Sequence, residues 1–207
     1  MEQDKVQEIL SFWFGDDPGG GSWRARVASW FSSNDDLDRE IQNRFGDLVR
    51  KAATGELQSW TESAHGRLAL IILLDQFSRN IYRGTAAAFG NDERALTLTL
   101  AGIESGSDGE LHPIERLFLC MPMMHSEDLA VQSEGLIVFR ALAEEPGDAQ
   151  EMLGKSLDSA VQHYQLIERF GRFPHRNAIL GRQSTPAEEA FLADGGPTFG
   201  QSAPDKR

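Results

Sequence analysis

The chain has 207 residues, 40% of them hydrophobic, with 20 Lys plus Arg against 32 Asp plus Glu for a net charge of −12. That length suits one domain with a sizeable core, and so acidic a chain excludes nucleic acid and anionic lipid as default partners unless positive charge is gathered locally. A lone cysteine, Cys120, excludes an internal disulfide and a Cys-cluster zinc site. No apolar run reaches the ~18 residues of a membrane span, and MEQDKVQEIL lacks the basic and apolar regions of a secretory signal, so the expected setting is the cytoplasm.

Strand signals are scarce, and apolar residues recur at helical spacing. Val6, Ile9, Leu10, Trp13 and Phe14 form a first stripe, closed by Gly15 and a loop over 16–21. Asn34 is placed to cap a second helix whose face is Leu37, Ile41, Phe45 and Leu48, with Gly55 after its end. A third runs from about Ser63 to Gly84. Its centre, 68–74, is apolar on every side, which predicts a buried central helix. A helix from Asn91 to Gly106 follows. Pro113 fits the first turn of the next, which Pro122 is predicted to end or kink.

Ser126 is the expected cap of a helix with Leu129, Leu136, Phe139 and Leu142 inward, and Pro146-Gly147 breaks the chain after it. Another helix runs from Asp148 through Leu157, Val161, Tyr164 and Ile167 to Gly171, with short turns at 178–181 and 186–192. The reading is an all-α domain over 1–193, about eight to ten helices packed as antiparallel hairpins, with a mobile tail over 194–207. No sequence repeat is visible.

Three polar clusters interrupt this pattern. In the first, Asp75, Arg79 and Tyr82 share one helical stripe, and Gln76, Asn80 and Arg83 share the next. They continue the most apolar helix, so they either tie loops together or line a cavity. The second is His125-Ser126-Glu127-Asp128 with Gln132. Its single His argues for helix capping and against a metal site. The third holds Arg169, Arg172, His175, Arg176 and Asn177, then Arg182. Arginines in a loop suit capture of phosphate or carboxylate. Glu168 is the only acid between 168 and 182, so these arginines look short of local partners. Cys120 reads as an inert core thiol, and His65, His112 and His163 as structural or surface residues. No nucleotide-binding glycine motif and no nucleophile elbow is present, and no motif points to a particular cofactor.

Four segments together make the chain similar to a bacterial family catalogued as domain of unknown function 924: Ile9–Gly15, Leu74–Gly84, His125–Asp128 and Arg172–Asn177. Ser78 departs from the family, whose members often have Pro there. The resemblance implies an all-helical, tetratricopeptide-like fold and no particular reaction.

Two functions are compatible with these clusters. In the first, they converge on one pocket for a small anionic molecule. Asp75, His125 and His175 would do acid–base work, and Gln76, Arg79, Asn80, Arg83, Asp128, Arg172, Arg176, Asn177 and Arg182 would bind the ligand. Phe77, Phe170 and Phe173 would form its apolar wall. In the second, a helical scaffold grips an acidic peptide or partner through the same arginines.

Overall fold

The computed structural model describes residues 2–31 and 33–200. It is all-helical, with no strand among the described residues. Helix α1 (Glu2–Phe14) buries Ile9, Leu10, Trp13 and Phe14, and Gly15 ends it at φ 83°, a left-handed conformation that a side chain would resist. A short 3-10 turn (Ser22–Arg26) and α2 (Val27–Trp30) lie between the loop at 16–21 and Asn34, where the sequence reading assigns no element. They are too brief for periodicity to register, but they bury Trp23 and Trp30. Helix α3 (Asp35–Thr54) is capped by the Asn34 side chain, which accepts from the Asp36 and Leu37 amides.

The central segment is α4 (Ala64–Ile71), a π-helical turn (Ile72–Phe77) and α5 (Ser78–Ile81). Every residue from Leu68 to Phe77 is buried. Helix α3 packs on the π turn and α5, and α1 on α4. Helix α6 (Asp92–Glu104) crosses to α7 (Pro113–His125), where Thr99 Oγ1 donates to the Leu119 carbonyl at 2.6 Å. Phe118 of α7 meets Trp13, Phe14 and Trp30 edge to face. Helices α8 (Leu129–Glu144) and α9 (Gln150–Phe170) pack most extensively on each other, and α10 (Pro186–Ala193) closes the chain.

Two local expectations are corrected. Pro122 does not end its helix: α7 runs on to His125, its last turn held by buried Met121, Met123 and Met124. Ser126 does not cap α8. It terminates α7, and Asp128 is the cap, its carboxylate accepting from Ala130 and Val131 amides at 2.7 and 3.2 Å. The expected tail is also placed in part: over 194–200 the chain is described and Phe199 packs onto the body, whereas 201–207 lie outside the described residues. Among the described residues no helix is long and apolar enough to cross a membrane.

Candidate functional site

The π turn sets the site. A π turn inserts one extra residue per turn and re-aims the side chains that follow. Here it holds Asp75 and Gln76, both buried, at the end of the core's most apolar stretch. The Asp75 carboxylate is fully buried and saturated with donors. Arg79 Nη1 lies 2.7 Å from Oδ1, His125 Nδ1 lies 2.7 Å from the same oxygen, and Gln76 Nε2 donates to Oδ2 at 2.6 Å. Arg79 also makes a two-pronged contact with Asp92, at 2.9 and 3.1 Å. The last turn of α7 thus delivers His125 to the π turn of the central helix.

Burial alone would push the Asp75 carboxyl up, but the adjacent Arg79 and His125 outweigh it and hold the group well below the usual carboxylate range. Burial and the Arg79 charge push His125 below its ordinary value, against the pull of Asp75. At neutral pH the pair is therefore carboxylate and neutral imidazole. An ionised Asp75 can only accept, so His125 Nδ1 carries the proton and Nε2 keeps a lone pair on the opposite ring edge.

The loop after α9 brings the third cluster here. Arg176 Nη1 reaches Asp92 at 3.2 Å and Nη2 the His125 carbonyl at 3.1 Å. Its guanidinium lies between the rings of Phe89 and Phe173, at 4.6 and 4.5 Å. Burial and Arg79 draw Arg176 down to about 10, which leaves it charged at neutral pH in a costly place. Its Nε, and Nδ1 of neighbouring His175, are buried and without a hydrogen-bond partner among the described residues.

Around these groups lies a cavity of about 320 Å³. Gln76, Arg79, Asn80, Arg83, His125, His163, His175 and Arg176 supply its polar lining, and Trp30, Phe31, Phe89, Met121, Met124 and Phe199 its apolar one. Asn80 and Arg83 are both fixed by Asp38: Asn80 Nδ2 donates at 2.7 Å, and Arg83 Nε and Nη2 donate at 2.7 and 3.0 Å. His163 Nδ1 meets the Ser159 carbonyl at 2.7 Å, and burial pushes this ring down to about 3, so it too is neutral with Nε2 unprotonated. Among the described residues no cluster of His, Cys, Asp and Glu has the makings of a metal site.

Four expected ligand-binding residues lie elsewhere. Arg172 is held by Glu188 through two contacts of 2.7 Å and donates to the Gln183 carbonyl. Arg182 is held by Glu127 at 2.6 and 3.0 Å. Asn177 donates to Ser184 and accepts from Arg182, and Asp128 caps α8. The loop arginines seemed short of partners because their carboxylates are distant in sequence or beyond the loop. Of the expected apolar wall, Phe77 is instead a core residue between Phe12, Trp13 and Phe45, and Phe170 packs on Phe191. Phe173 is fully buried behind His163 and His175.

Sequence reasoning passed over His163, Asp92, Phe89 and Phe199. His163 carries a usable signal: Ser156, Ala160, His163 and Ile167 repeat at helical spacing on the buried face of α9.

A family description for bacterial proteins of unknown function, DUF924, matches residues 9–196. A solved structure of a protein of unknown function from Agrobacterium tumefaciens is 34% identical, with a TM-score of 0.81. The match covers 94% of this chain and 100% of that one. No curated protein matches the chain.

Proposed function

The chain belongs to the bacterial DUF924 family of unknown function, and we propose that it binds a small anionic molecule in the His125 cavity and exchanges a proton with it. The observation that carries this is the Asp75–His125 pair. A buried carboxylate that fixes one ring nitrogen leaves the other as an oriented proton acceptor, the arrangement general bases use. A volume of about 320 Å³ with mixed apolar and polar lining fits a compact ligand. Arg79 and Arg176 share Asp92 and line the cavity together with Arg83, and such guanidinium groups suit an acceptor-rich group such as carboxylate or phosphate.

The acidic net charge favours a small molecule over nucleic acid as partner. Packing of α6 on α7, α7 on α8 and α8 on α9 supports reading the array as tetratricopeptide-like hairpins without a sequence repeat. A cytoplasmic setting is consistent with the single buried thiol, Cys120, which burial pushes up to about 12.

Thermal unfolding at low ionic strength tests the binding step. Inorganic phosphate or short carboxylates should raise the melting temperature. Inert salt should erode the gain, and Arg176→Ala should reduce it. No stabilisation by any of these anions would refute the reading.

A further inference from the structure

The C-terminal end of the described chain enters the same cavity. Beyond α10, Gly195 and Gly196 turn the chain back, their amides donating to the Leu192 and Phe191 carbonyls. The chain then reaches the cavity mouth, where Phe199 lies against His163 with ring centroids 3.7 Å apart and planes 27° off parallel. The Phe199 ring is also 5.5 Å from His175. One residue on, the Gly200 carbonyl accepts from Arg83 Nη1 at 3.1 Å. A planar ring and an oxygen acceptor thus occupy two neighbouring places in the cavity.

Phe199 packs half-buried against His163, His175 and Phe173, and among the described residues the Gly200 carbonyl makes the only hydrogen bond of 197–200. Phe199 is also the only non-glycine at positive φ among the described residues, at 51°. That conformation is unfavourable for a bulky side chain. A strap strained at its anchor opens more readily than the helices around it.

We infer that the ligand is an aromatic monocarboxylate, its planar ring and acid separated by about five chain atoms, as Phe199 Cβ to Gly200 Cα separate the ring from the Gly200 carbonyl, and that residues 197–200 imitate it. The inference rests on the reading of the cavity as a small-acid site. The ligand ring takes the Phe199 place on the neutral His163 face, and its carboxylate takes the Gly200 place on Arg83. The strap is an internal competitor, so the apparent affinity is the intrinsic one reduced by the fraction of molecules with the strap withdrawn.

Calorimetric titration of the full chain with 6-phenylhexanoate and with hexanoate tests this. The ring should tighten binding about fivefold, the scale of one aromatic stack. Phe199→Ala should tighten 6-phenylhexanoate at least about threefold by removing the competitor. A chain ending after Gly196 should show the same gain. Equal affinities for the two acids, or a Phe199→Ala variant that binds no better than the parent, would overturn the inference while leaving the small-acid reading intact. Failure of both acids to bind the parent, the Phe199→Ala variant and the shortened chain would overturn both.

Discussion

Arg172 and Arg176 stand four residues apart and have different surroundings. Arg172 neutralises Glu188, whose side chain is only 2% exposed. Removing the cation leaves the Glu188 carboxylate with the Thr185 amide but no counter-charge, so Arg172→Ala should lower the midpoint of a denaturant titration. It should leave the phosphate effect on melting unchanged, because the pair lies outside the cavity lining. A loss of that effect would show that the two loop arginines act together.

The histidines fix a pH dependence. Burial, with Arg176 beside His175, lowers His163 and His175 to about 3. In the unfolded chain a histidine takes up its proton near ~6.5. As pH falls below that value the unfolded state binds protons that the folded state refuses, so stability is complete above it and is lost on acidification. Between pH 6.5 and 5 the two rings together should remove up to about 3 kcal/mol. The melting temperature should therefore drop from pH 7 to pH 5, with a shallower slope in His163→Gln. A flat profile over that range would mean that these rings are solvated.

At the scale of elements, the tightest constraint is the start of α4. A Cβ on Gly66 would lie 2.2 Å from the Trp60 carbonyl oxygen, a backbone atom that cannot step aside cheaply. Gly66→Ala should cost about 1–3 kcal/mol. Gly154 in α9 has nothing within 4 Å of such a Cβ, so Gly154→Ala should instead stabilise by up to ~1 kcal/mol, through helix propensity. Denaturant midpoints of the two variants should move in opposite directions.

Long helices were legible because each shows one apolar stripe and a recognisable stop: Leu37, Ile41, Phe45 and Leu48 with Gly55 for α3, for instance. The π turn was not. Its apolar run continues without a breaker, and periodicity over six residues cannot separate one extra residue from ordinary helix. The end of α7 was misjudged for another reason. Proline forbids one hydrogen bond but not the packing of Met123 and Met124 that carries the helix onward.

For the whole molecule, the polar clusters at 75–83, 125 and 175–176 were visible as residues that an apolar context should not tolerate unpaired. Their meeting depends on the packing of α4–α5, α7 and the loop after α9, which no local pattern encodes. Charge pairing was the least legible feature. Arg79 and Arg176 find Asp92, Arg182 finds Glu127, and Arg83 finds Asp38, all distant in sequence. A count of nearby acids therefore exaggerated the positive charge of the loop.

In the proposed function His125 is a neutral ring, oriented by Asp75, whose free nitrogen serves a small acid. Nitrogen-15 NMR of the five histidine rings reads this directly. At pH 7 His125 should show a protonated, strongly hydrogen-bonded Nδ1 and an unprotonated Nε2. Addition of phosphate or 6-phenylhexanoate should shift the His125 signals and leave His65 and His112 in place. A doubly protonated His125 at pH 7, the opposite tautomer, or a His125 untouched by an acid that stabilises the protein would refute it.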